Sequence, residues 1–283
     1  MDATISMLQA PGGAALAIYD WGAPSDAALR GTVLLVHGLG EHMGRYADVA
    51  QTLRAAGWHV WGHDHHGHGR SDGLRGALPA ASTLLDDLGR VIDHARERAT
   101  ASRPLVLVGH SMGGAVVAQA VMQRLRPIDA VVMSSPALAA HTNALQRWLL
   151  RWLPRVAPQL RIGNGLQVEG ISRDPVVVQR YRDDPLVHDR MGCALAAWIV
   201  ASGQRAVTQA HAWDTPTLLL YAGADRLVDP AGSDAFARAA PATLVHSRRY
   251  DALYHEIFNE PEREEVLAEL VRWLAEASFQ RDT

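Results

Sequence analysis

The stretch "PLVLVGHSMGG" occupies residues 104–114, and its reading decides the fold. Its first half is an aliphatic run short enough for a strand buried on both faces. From Ser111 a helical pattern runs to about Arg124. Gly109, Ser111 and Gly113 form G-x-S-x-G at that junction. A serine on so sharp a turn has a strained backbone, and the crossing strand and helix leave no space for side chains two positions away on either side. Such a turn lifts the Ser111 hydroxyl out at the carboxyl end of a sheet and aims the N–H of Met112 at a developing oxyanion. A glycine-rich packing turn could carry the same letters, but the strand before and the helix after favour a nucleophile.

Outward from this point the pattern repeats. Apolar runs at 32–38, 59–65, 130–138 and 215–225 alternate with helical segments near 44–56, 82–99 and 230–240, and "TLVHSRRY" (243–250) precedes a closing helix from Pro261 to Ser278. Runs without polar alternation, spaced by helices, require a mostly parallel doubly wound sheet, hence an α/β chain. "TISMLQA" and "AALAIYDW" flank the turn signal "PGG" and read as an opening antiparallel hairpin. The alternation lapses from about 139 to 211. That span reads as a helical insertion, leaving 1–138 and 212–283 as the core.

The chain has 283 residues, is 48% hydrophobic and carries a formal charge of −3. That suffices for a large core and leaves no basic face for nucleic acid. The single cysteine, Cys193, excludes an intramolecular disulfide and a thiolate metal cage. No basic start with an apolar run opens the chain and no segment nears 18 apolar residues, so a soluble, cytoplasmic protein is expected.

A serine hydroxyl is a weak nucleophile, so a base and a group that orients it must stand on later loops beyond strand ends. Asp225, after "TLLLYAG", and His255, after "TLVHSRRY", occupy those places in the order Ser, Asp, His. Asp229 and His246 are competitors. Asp229 lies further past its strand, and His246 falls within one. The second oxyanion donor is the N–H of Leu39 in "HGLGEHMGRY" (37–46), where glycines let backbone approach substrate.

Taken together, "HGLGEHMGRY", "HDHHGHGRSDG", "GHSMGG", "ISRDPVVVQRYRDDPLV", "YAGADRLVD" and "YHEIFNEPE" resemble the α/β-hydrolases of the monoacylglycerol lipase and lysophospholipase-like group across nearly the whole chain. The resemblance implies an eight-stranded α/β-hydrolase sheet with a helical cap after the sixth strand, and a serine esterase needing no cofactor. It implies the triad Ser111, Asp225 and His255, with Leu39 and Met112 as oxyanion donors. It also implies an alcohol subsite from Glu41, Arg45, His110 and Tyr181. Where some members have a second histidine three residues after the catalytic one, this chain has Phe258. The expected substrate is a single-chain lipid ester, monoacylglycerol first. Lysophospholipid, another carboxylic ester or acyl transfer to an alcohol are the alternatives on the same triad. A non-catalytic binding module would lack a triad member, and epoxide hydrolase or dehalogenase relatives would need Asp in place of Ser111.

Two stretches remain. In "NALQRWLLRWLP" (143–154), Ala144, Leu145, Trp148, Leu149, Trp152 and Leu153 share one side of a helix away from Arg147 and Arg151. This face either packs on the enzyme body or meets a membrane or micelle surface transiently. "GHDHHGHGRSDG" (62–73) superficially suggests a metal site, but zinc would need further ligands from distant loops. It is read instead as a hydrogen-bonded loop supporting the oxyanion side, with no metal expected.

Overall fold

A computed structural model of the chain describes residues 2–9, 14–24, 28–98, 103–141, 152–153, 155–157 and 160–277. Residues 31–36, 105–110 and 217–222 are buried at every position, the mark of strands covered on both faces. In chain order the first elements are β1 (Thr4–Gln9), β2 (Ala15–Gly22), β3 (Gly31–Val36), α1 (Ala47–Ala55), β4 (Trp58–His63), α2 (Thr83–Arg98), β5 (Leu105–His110), α3 (Met112–Met122) and β6 (Ala130–Ser134). Then come β7 (Arg161–Gly163), α4 (Pro175–Asp183), β8 (Arg190–Gly192), α5 (Cys193–Thr208), β9 (Thr217–Ala222), α6 (Pro230–Ala239), β10 (Val245–Tyr250) and α7 (Arg263–Glu276).

Eight strands form one sheet in the order β1-β2-β4-β3-β5-β6-β9-β10. β2 runs antiparallel to both β1 and β4, and every other neighbouring pair is parallel. This is the expected α/β-hydrolase sheet, including its opening hairpin. Successive residues of each central strand face opposite layers. Leu34, Val36, Leu107, Met133 and Leu219 pack beneath α2, α3 and α6. Val33, Leu35, Val106, Val132 and Leu218 pack beneath α1 and α7.

Between β6 and β9 the chain leaves the sheet. The amphipathic helix expected at 143–154 lies almost wholly outside the described residues. The sequence pattern over 139–211 is helical, yet β7 and β8, with α4 between them in the chain, pair as a short antiparallel two-stranded sheet, three residues a side, seated on the loop at Gly76 through Gly192 N–H to Gly76 O (2.8 Å). α5 packs on the core: Gln119 of α3 donates to Ser202 O (3.1 Å), and Leu195 and Ala206 belong to the main apolar cluster. The closing helix starts at Arg263 rather than Pro261. The preceding turn carries Glu260 inward, where its carboxylate accepts N–H groups of Arg173 (2.6 Å) and Tyr254 (3.1 Å). The strand expected over 130–138 ends at Ser134, because Ser135 turns with a φ of 39°.

The β5–α3 junction shows why glycine flanks the serine. A Cβ on Gly109 would collide with Gly113 O, and one on Gly113 with the carbonyl oxygen of Val36 and, at 2.6 Å, that of His37. Those carbonyls belong to a buried strand and its end, which cannot yield. Gly113→Ala is therefore expected to destabilise the protein by about 2–3 kcal/mol, read as a lower urea midpoint. An unchanged midpoint would contradict this packing.

Candidate active site

Ser111 sits at the carboxyl end of β5 with φ 53° and ψ −119°, a left-handed conformation that costs a non-glycine residue on the order of 1–3 kcal/mol. Its N–H bonds Ser134 O (3.0 Å), and its own carbonyl accepts from Ala115 (3.2 Å) and Ala137 (2.9 Å). The strained turn is thus held by the neighbouring strand and by the helix it opens.

Beyond β9 and β10, two loops bring Asp225 and His255 together. The ring Nδ1 of His255 lies 2.6 Å from Asp225 Oδ2, and both side chains are buried. The other oxygen, Oδ1, accepts the N–H groups of Leu227 (2.8 Å) and Val228 (2.9 Å). Burial would raise the Asp225 carboxyl, but the His255 ring and these N–H donors hold it below the usual carboxylate range. Burial alone would lower the His255 imidazole, and the carboxylate of Asp225, with Glu256 and Glu41 behind it, raises it above its ordinary value. An ionised Asp225 fixes the proton on Nδ1 and leaves Nε2 as the basic nitrogen. Asp229 instead caps α6 by accepting from Ala231 N–H (3.0 Å), and His246 is exposed on β10, 3.7 Å from Glu269.

The residue before Ser111 packs against this pair. The ring of His110 lies 4.7 Å from that of His255, and burial pushes its imidazole down to about 3. Its Nδ1 is 3.2 Å from Ser134 Oγ. No hydrogen bond joins the Ser111 hydroxyl to His255 among the described residues. Such contacts often tighten only when substrate is bound.

The loop after β3 closes over the serine. A Cβ on Gly38 would stand 3.1 Å from Ser111 Cβ, so this backbone approaches the serine as only glycine allows. Among the described residues the N–H groups of Leu39 and Met112 have no protein acceptor. The loop is held from behind by Glu41, whose Oε1 accepts from Gly38 N–H and Tyr46 O–H, both at 2.7 Å. Arg45 donates to Glu41 Oε2 (2.6 Å) and lies over the Tyr181 ring, 4.7 Å from its centroid. Gly40 O accepts from His188 N–H (2.9 Å), and His42 Nε2 donates to Asp184 Oδ2 (2.8 Å), which ties the loop to the segment after α4.

The histidine-rich stretch lies beneath this loop. Asp64 accepts from the N–H groups of Met43 (2.7 Å) and Arg70 (2.7 Å) and from Tyr19 O–H (3.1 Å). His37 donates from Nδ1 to Gly38 O (2.7 Å) and accepts His65 N–H at Nε2 (3.0 Å), while His65 Nε2 donates to His37 O (3.1 Å). The rings of His37, His65 and His63 meet at 4.5 and 4.9 Å. These histidines serve as neutral hydrogen-bonding and packing groups under the loop after β3.

Sequence reasoning missed Glu256. Its carboxylate accepts both terminal nitrogens of Arg45, at 2.7 and 2.6 Å, and Asn259 Nδ2 at 2.8 Å. Its adjacency to His255 was the available signal, but the partner lies 211 positions away.

Residues 27–262 match the serine aminopeptidase, S33, family. A monoacylglycerol lipase of Mycolicibacterium smegmatis is 36% identical over 91% of this chain and 92% of its own. Phospholipase YtpA of Bacillus subtilis is 30% identical over 88% of this chain and 95% of its own. Among solved structures, a Paleococcus ferrophilus monoacylglycerol lipase superposes with a TM-score of 0.83 at 36% identity, covering 93% of this chain and 99% of that one.

Proposed function

Since the chain belongs to the serine aminopeptidase, S33, family of α/β-hydrolases, we propose that it hydrolyses carboxylic esters of single-chain lipids, monoacylglycerol first, through an acyl-enzyme on Ser111. The observation that carries the mechanism is the buried Asp225–His255 pair at 2.6 Å, on loops at the carboxyl end of the sheet that also carries the strained Ser111. The monoacylglycerol lipases of similar sequence and structure support the substrate class.

In this mechanism Ser111 Oγ attacks the ester carbonyl while His255 Nε2 takes its proton. The carbonyl oxygen becomes an oxyanion held by the N–H groups of Leu39 and Met112. Asp225 stays ionised and stabilises the imidazolium. Collapse of the tetrahedral intermediate breaks the bond to the glycerol oxygen, which leaves with the proton from His255. Water, deprotonated by the same nitrogen, attacks the acyl-enzyme, and the fatty acid and free Ser111 result.

For the alcohol part, the groups are His110, Tyr181, Glu41 and Arg45, of which Tyr181 is buried with its ring against Arg45. The carboxylates already bound to Arg45 fix its orientation. The 139–211 span serves as the cap. Its exposed Trp152, Val156, Leu160 and Ile162, with Arg155 and Arg161 between them, suit transient contact with lipid aggregates. No helix among the described residues is long and apolar enough to cross a membrane. The enzyme would act in the cytoplasm at membrane or micelle surfaces.

The test is a hydrolysis panel of monoacylglycerols of rising chain length, short p-nitrophenyl esters and a lysophospholipid. The expected result is the highest kcat/KM on a monoacylglycerol. A lysophospholipid preference would move the assignment toward the activity named for the Bacillus relative, and ester transfer to added alcohol would mark an acyltransferase.

A further inference from the structure

We propose that Glu256 is a positioning residue: through Arg45 and Glu41 it holds the backbone N–H of Leu39 in register with the imidazole of His255. The proposal rests on the ester-hydrolase reading above and adds a residue to it.

One continuous path of short bonds supports it. Glu256, directly after His255, takes Arg45 in a two-point grip at 2.7 and 2.6 Å. Arg45 NH1 passes on to Glu41 Oε2 at 2.6 Å, and Glu41 Oε1 accepts the N–H of Gly38, the residue before Leu39, at 2.7 Å. Two neutral donors complete the set, Tyr46 O–H on Glu41 and Asn259 Nδ2 on Glu256. Glu41 and Glu256 are only 4% and 5% exposed.

A paired guanidinium and carboxylate fix direction as well as distance, because both planes must align. A tie that only held two loops together could be apolar. Burying two carboxylates with one guanidinium has a desolvation cost that apolar contact would avoid. The geometry supplies what apolar contact does not: the loop bearing the base and the loop bearing the oxyanion donor are locked to one rigid fork. Misplacement by about 1 Å at such a site costs on the order of 100-fold in rate.

Glu256→Gln keeps the shape but removes the charge and half of the accepting capacity. With a short p-nitrophenyl ester, kcat is expected to fall about 10- to 100-fold with KM held within about twofold. The acid limb of the kcat/KM profile is expected to move to lower pH, since one negative charge facing His255 is gone. Asp225, Glu41, Arg45 and His110, the other charged or titratable groups around His255, stay in place. Glu41→Gln breaks the same path, so the double variant is expected to be no slower than the worse single variant. A Glu256→Gln enzyme with native kcat and an unmoved acid limb, or losses that simply multiply in the double variant, would overturn the proposal. If Glu256→Gln does not fold, Asn259→Ala decides. It removes one bond to Glu256, and a several-fold loss in kcat at constant KM supports the proposal, whereas native kcat overturns it. Absence of Ser111-dependent hydrolysis in the unaltered enzyme would defeat the ester-hydrolase reading itself, a separate result.

Discussion

Ser111→Ala is expected to lower kcat for ester hydrolysis by about 10⁴-fold or more while leaving the fold intact. The size follows from what the hydroxyl does. Without Oγ no acyl-enzyme forms, and His255 has no alcohol to deprotonate. The N–H groups of Leu39 and Met112 remain and give only the residual rate that oxyanion stabilisation and binding provide. Stability should hardly change, because the strain at φ 53° belongs to the backbone and is the same for alanine as for serine. The bonds that hold the turn, from Ser111 N–H to Ser134 O and from Ala115 and Ala137 to the Ser111 carbonyl, use main chain alone. Circular dichroism and a urea midpoint close to those of the unaltered enzyme, beside lost turnover, are the expected pair of results. A variant that keeps more than about a tenth of the activity would exclude Ser111 as nucleophile.

Acid lability is the second large effect. His37, His65 and His68 are buried and held well below the ordinary imidazole range, chiefly by desolvation, and burial takes His63 to about 4 and His110 to about 3. The hydrogen bonds agree with neutral rings. Nε2 of His37 accepts the His65 N–H, so a proton there would face another donor. Neither ring nitrogen of His63 has a protein partner among the described residues.

These histidines gain protons on unfolding, so the unfolded state binds more protons below about pH 6.5 and stability falls as pH drops. The loss continues until the folded-state values are reached, near pH 4 for His63 and 3 for His110. At pH 5 each fully buried ring contributes a loss of about 2 kcal/mol, so His63 and His110 alone remove about 4 kcal/mol. Against a typical total of about 5–15 kcal/mol this is a large fraction. His255, whose imidazole is raised, acts in the opposite sense, and so do Asp64 and Asp87, whose carboxyls burial raises. The two carboxyls act mainly as pH nears the carboxylate range, below the window in which the histidines act. Urea unfolding at pH 7.5, 6.5, 5.5 and 5 is expected to show a steepening loss of at least about 4 kcal/mol. A flat profile over that range would show that these rings are not neutral and buried.

Local grammar made much of the fold legible. The glycines around Ser111 mark a junction where no side chain fits, and the unalternated runs at 31–36 and 105–110 mark doubly covered strands. Asp225 and His255 could be placed because the carboxyl ends of strands must carry them. The β7–β8 pairing was not legible, because three-residue strands have no period to read and a helix separates them in the chain. The tie of α5 to α3 through Gln119 and Ser202 depends on one side chain and a main-chain carbonyl brought together by the fold. Glu41 and Arg45 were legible as a pair of site residues, and they do bond at i,i+4, but the grip of Arg45 on Glu256 joins opposite ends of the chain. The histidine-rich stretch carries metal-like letters. Its hydrogen-bonded character was legible, but its individual partners were not: Asp64 accepts from Met43 and Arg70 and His65 donates to His37, contacts that only the fold brings together.

The central claim is a covalent acyl-enzyme on Ser111 formed by the Asp225–His255 pair. Its most direct test is peptide mapping by mass spectrometry after reaction with a fluorophosphonate. One equivalent of adduct is expected on the peptide containing Ser111, absent in Ser111→Ala and formed far more slowly in His255→Ala. Ester hydrolysis that proceeds while Ser111 remains unlabelled, or an adduct on a different residue, would contradict it.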